Sequence, residues 1–89
     1  MYQFQINEVS TVVTPVNHGI EILVFKTNLT DGRHVNAIGN SLNIHPAIHQ
    51  WNVDLQDCDN ILRVVANNIA GKEVETMLVN AGYYCEELE

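Results

Sequence analysis

Residues 20–42 read IEILVFKTNLTDGRHVNAIGNSL, and the change of period inside that stretch decides the fold. From Ile20 to Lys26 the chain is a nearly continuous apolar run. Strands buried on both faces look like this, which places the run centrally in a sheet. From Thr30 the period lengthens. Thr30 and Asp31 offer an N-cap, and Val35, Ile38 and Leu42 fall on one helical stripe. Gly39 inside that stripe costs about 1 kcal/mol relative to alanine, so the helix depends on packing. Asn43 and Pro46 mark its end.

Downstream, Trp51, Val53 and Leu55 alternate with Gln50, Asn52 and Asp54, a strand with one wet face. Residues Gln56 to Asn60 form a polar turn. Ile61 to Ala66 is a second strand, with Leu62 and Val64 on one face and Arg63 on the other, and the two strands read as a hairpin. A second helix puts Val74, Met77, Leu78 and Ala81 on one face, with Gly82 as its C-terminal cap. A short strand, Tyr83 to Leu88, closes the chain. Upstream, Tyr2, Phe4 and Ile6 alternate with Gln3, Gln5 and Asn7. Ser10 to Val16 is β-branched, until Pro15 and Asn17-His18-Gly19 break the pattern.

Residues 1–17 are thus an N-terminal extension, an extra strand or a tail, ahead of a domain over 18–89. The element order predicts an α+β, ferredoxin-like βαββαβ sandwich: a four-stranded antiparallel sheet with two helices on one face.

Composition narrows the function. At 89 residues the chain is one domain with a thin core. Eleven acids against four Lys and Arg give a net charge of −7, which excludes a phosphate-backbone partner and suits a basic protein. The start has neither a basic region nor an apolar run behind it, so no export signal is read. The longest apolar run, Ile22 to Phe25, is far too short to span a membrane. Two cysteines without an export signal point to a reducing cytoplasm and no structural disulfide.

From His18 to Glu89 the chain resembles the heavy-metal-associated domain family. Two patterns carry this beyond the element order. One is Leu29-Thr30-Asp31-Gly32-Arg33-His34-Val35 followed by Ile38 and Leu42, where the family reads Met-Thr-Cys-x-x-Cys-Val-x-x-Ile with a Leu four residues on. The other is Ala81-Gly82-Tyr83, the family's exit from its second helix. Asp31 and His34 stand where the two cysteines belong. The resemblance implies copper(I) transfer by two soft thiolates at the mouth of the first helix, and a carboxylate with an imidazole cannot reproduce that site.

The candidate metal ligands are therefore Asp31, His34 and Cys58. Asp31 and His34 suit a harder divalent ion, yet two ligands are too few for tight binding. His45 and His49 share helical ligand spacing, but Pro46 between them predicts a surface loop. Cys85 reads as a core thiol. Cys58 reads as exposed, with Asp57 and Asp59 disfavouring its thiolate.

No catalytic constellation is legible, and no cofactor is implied. Strand parity predicts an open sheet face bearing Ile20, Ile22, Val24, Ile61 and Val65, with Tyr2, Phe4 and Ile6 available to extend or cover it. The expected function is a non-catalytic protein-interaction domain that has lost heavy-metal binding, its partner another protein or a second copy in a homodimer that uses residues 1–16 as an added strand. The alternatives are a divalent-metal or small-ligand sensor using the Asp31–His34 end, and an acylphosphatase-like enzyme, which the missing glycine-rich loop before Arg33 argues against.

Overall fold

The computed structural model describes residues 20–88. Six elements follow in the predicted order: β1 (Ile20–Thr27), α1 (Gly32–Ile44), β2 (Ile48–Asp54), β3 (Ile61–Asn67), α2 (Gly71–Asn80) and β4 (Cys85–Leu88). The strands form one antiparallel sheet in the order β2-β3-β1-β4, so the apolar run of β1 is central as its composition requires. Residues 1–19, with the Tyr2, Phe4 and Ile6 stripe, lie outside the described residues.

Both helices pack on one face. Leu23 and Phe25 of β1, Trp51 and Val53 of β2, and Leu62, Val64 and Ala66 of β3 share strand parity. They meet Val35, Ile38 and Leu42 of α1 and Val74 and Leu78 of α2 in one core. Leu29, in the loop between β1 and α1, is fully buried and joins the same core. Gly39 now has a packing reason. A Cβ there would sit 3.2 Å from Cζ2 of Trp51, closer than ordinary contact. The Trp51 indole N–H donates to Asn43 Oδ1 at 2.8 Å and so ties β2 to α1.

The end of α2 shows how local chemistry stops a helix. Gly82 adopts φ +97°, a left-handed conformation that glycine takes without a Cβ clash. The Gly82 N–H donates to the Val79 carbonyl and the Tyr83 N–H to the Leu78 carbonyl, each at 2.9 Å, the bond pair of a Schellman motif. Ala81 is the cap residue and is exposed, not on the buried face as expected, because the helix has ended one residue before it.

Three further expectations need correction. β4 starts at Cys85, not Tyr83, because the Tyr84 N–H donates to Asn28 Oδ1 at 2.8 Å and leaves the ladder. His49 is in β2 at an irregularity of the register, not in a loop. Ile61 is only 7% exposed, so it is not on the exposed apolar surface. It stands outside the helix-side core, as its parity demands. At that end of the sheet Lys26 of β1 pairs with Asp59 at 3.8 Å. The rest of the predicted face is open: Ile20 is 50% and Ile22 66% exposed, while Val24 and Val65 are half-buried.

Candidate functional site

The loop entering α1 is anchored from below. Thr27 is buried; its hydroxyl donates to the Asn60 carbonyl at 2.6 Å and accepts from the Leu29 N–H at 3.2 Å. That double tie and the buried Leu29 fix where α1 begins.

Asp31 is the N-cap in extended conformation. Its Oδ1 accepts from the Arg33 N–H at 2.8 Å and shares the His34 N–H, at 3.3 Å, with the Asp31 carbonyl at 3.1 Å. Its Oδ2 pairs with the Arg33 guanidinium at 3.2 Å. The Arg33 side-chain bond, helped by the backbone bonds from His34 and Arg33, holds this carboxyl below its ordinary range against the opposing effect of desolvation. A depressed carboxyl stabilises the fold fully above its unfolded-state pKa, and that contribution is lost as pH falls through the folded value.

His34 works in the opposite direction along the same turn. Its Nδ1 accepts from the Thr30 N–H at 3.0 Å, and the Thr30 hydroxyl lies 3.2 Å from the same atom. An accepting Nδ1 puts the ring proton of the neutral imidazole on Nε2. The ring also lies against Tyr83, with centroids 5.2 Å apart and planes tilted by 47°. Asp31 and His34 thus form a reciprocal cap, the side chain of each closing backbone donors near the other. Among the described residues, no third histidine, cysteine or carboxylate donor is grouped with this pair.

The other sequence candidates do not converge. His45 caps the C-terminus of α1; its Nδ1 accepts from the Ala47 N–H at 3.1 Å, and its Nε2 pairs with Glu73 of α2 at 2.8 Å. His49 bonds instead to Asn67 of β3. Donor atoms of Asp57, Cys58 and Asp59 lie within 4.8 Å of one another, a grouping the sequence already displayed as consecutive residues. The carboxylates are in use, however: Asp57 Oδ1 accepts from the Asp59 N–H at 2.8 Å and Asp59 pairs with Lys26.

Cys58 is exposed and Cys85 buried, and both are free. Burial, with Glu75 and Glu87 nearby, pushes the Cys85 thiol up to about 12. A thiol reagent at pH 8 is therefore expected to modify one cysteine of the native protein quickly and the second only on unfolding. Two equally fast thiols would contradict the placement of Cys85.

No family profile matches the chain, and no curated protein matches it. Solved structures do. The yeast copper transporter domain CCC2A superposes with a TM-score of 0.67 at 17% identity, over 76% of this chain and 94% of that one. The apo HMA domain of a copper chaperone for superoxide dismutase gives 0.68 at 20%, over 96% of this chain and 85% of that one. The copper(I)-loaded first domain of the human copper chaperone for SOD1 gives 0.64 at 22%, over 76% and 92%. The likeness is one of fold.

Proposed function

We propose that this chain, whose fold is that of heavy-metal-associated domains, is a non-catalytic protein-contact domain that has given up copper(I). The single observation behind this is the use of Asp31 and His34. The two positions that carry thiolates in the resembling family here close the first turn of α1 on its own backbone. A neighbour of the same fold was solved in the Atx1–Cu(I)–Ccc2a complex, so protein contact is within the repertoire of the architecture.

The contact surface is the open face of the sheet. Ile20, Ile22 and Leu88 are its exposed apolar residues, with Val24 and Val65 between them. Arg63 stands exposed on the same face opposite Val24, with no ion pair among the described residues. The acidic balance of the chain pointed to a basic partner, but this face suits an apolar patch that brings a carboxylate to Arg63. Two free cysteines suit a reducing compartment, and we place the protein in the cytoplasm. No described helix is long and apolar enough to cross a membrane.

Native mass spectrometry with copper(I) and with zinc tests both halves. The expected spectrum has no stoichiometric metal adduct. A one-to-one copper adduct that survives competition would overturn the reading and direct attention to Cys58. The same spectrum reports whether the contact is made with a second copy.

A further inference from the structure

We infer that the outer edge of β2 docks a second copy of this chain, the two β2 strands pairing antiparallel about a two-fold axis and joining two four-stranded sheets into one. Among the described residues β2 has β3 on one side and no strand on the other. This edge is a different surface from the open face of the sheet.

One bond fixes which backbone groups the edge presents. The Asn67 N–H donates to the Ala47 carbonyl at 2.8 Å, so Asn67 points towards β2. Direction alternates along a strand, so Val65, Arg63 and Ile61 of β3 also point towards β2. Their register partners, Gln50, Asn52 and Asp54, face them in the pairs that exchange hydrogen bonds. The N–H and C=O groups of Trp51 and Val53, which alternate with these, turn to the outer edge. Edges of this kind are usually blunted by charge or proline. β4 is blunted, with Glu86 and Glu87 among its residues. From Gln50 to Val53, β2 has neither charge nor proline.

The edge is complementary to itself, as a two-fold contact requires, and this commits the occupant to a second copy. With Trp51 opposite Val53 of the second copy, and Val53 opposite its Trp51, every one of those outward N–H and C=O groups is bonded. Asn52 then lies on the axis, opposite itself in a pair without backbone bonds. There Cα atoms approach to about 4.5 Å and two carboxamides can bond each other. Gln50 stands opposite Asp54, and no like charges meet. Sliding the strands by two residues sets Val53 opposite His49, inside the register irregularity, or Trp51 opposite Leu55, beyond the end of β2. The helix above agrees. Asn43, which holds the Trp51 indole N–H, marks the flank of α1 over this edge. Gly39 and Asn36, one and two turns before it, bring no charge to that flank. The net charge of −7 on each copy opposes the approach, so pairing should tighten as salt screens it.

Sedimentation of the full chain from about 1 μM to about 1 mM tests this, the range in which small interfaces dissociate, with amide exchange by NMR at both ends. A concentration-dependent dimer is expected, in which the Trp51 and Val53 amides exchange at least about tenfold more slowly than in the monomer. Asn52→Lys should weaken the dimer at least about tenfold by setting like charges opposite each other on the axis, and mixing it with Asn52→Glu should restore pairing. Both variants should keep the wild-type dispersion of amide signals. Ile22→Ser, on the open face, should leave the dimer unchanged. A wild type that stays monomeric at the top of the range, or a dimer that survives Asn52→Lys unweakened, overturns the pairing. A dimer lost with Ile22→Ser overturns it and assigns the contact to the open face. Trp51 and Val53 amides already protected in the monomer also overturn it, since the edge is then filled within one chain.

Discussion

Phe25→Ala is expected to cost about 3–5 kcal/mol, the range for emptying a fully buried aromatic site. Phe25 is 0% exposed and lies in the central strand, flanked by Leu62 on β3 and Glu87 on β4. Among the described residues no other fully buried side chain is aromatic, and it packs into the core that both helices share. Domains of this size hold only about 5–15 kcal/mol in total, so the variant should sit near the edge of folding. With a urea slope of about 1–3 kcal/mol per molar, the unfolding midpoint should fall by more than about 1 M. Ile22→Ala, three residues away on the opposite face, should move stability by no more than about 0.5 kcal/mol. Equal losses for the two would mean that the buried and open faces of β1 are exchanged.

The second large effect is a gain. Asp31→Cys with His34→Cys, in a Cys58→Ser background, should take up one copper(I) ion per molecule, where the parent chain is expected to take none. Two thiolates at the N-terminus of α1 would be soft ligands with pKa lowered by the helix dipole. The exchange should also cost about 0.5–2 kcal/mol in the apo protein, since Asp31 gives up its cap. A copper(I) competition titration and thermal unfolding read the two effects separately. If the cap is lost and copper is still refused, the geometry of the loop from Thr27 to Thr30 would be the obstacle, not the identity of the two side chains.

The sequence revealed the architecture where the determinant was local. The switch from an apolar run to a helical stripe placed β1 and α1, and the glycine after α2 marked its stop to within one residue, since the helix ends at Asn80 and not at Ala81. The start of β4 was hidden because it depends on Asn28, which lies 56 residues from the Tyr84 amide it binds. Parity correctly put Ile61 on the face away from the helices, but it could not show that Ile61 is only 7% exposed there. At the site, Asp31 was legible as a cap from its position alone. The part of His34 was not, since its backbone partner is Thr30 and its ring partner Tyr83, which only the fold brings to it. The sequence showed an acid and a histidine where the resembling family has cysteines, and the structure shows the bonds these two side chains make.

The contact between Trp51 and Gly39 gives the molecule an optical handle. Trp51 is the one tryptophan in the chain, 7% exposed, with its ring against the helix and its indole N–H held by Asn43. Its emission therefore reports the docking of α1 on β2, without a label and without interference from a second indole. Separation of the helix from the sheet brings water to the ring and moves the emission to longer wavelength. Fluorescence and far-ultraviolet dichroism should then trace one transition when the domain unfolds as a unit, and part company when α1 leaves the sheet before it loses its turns.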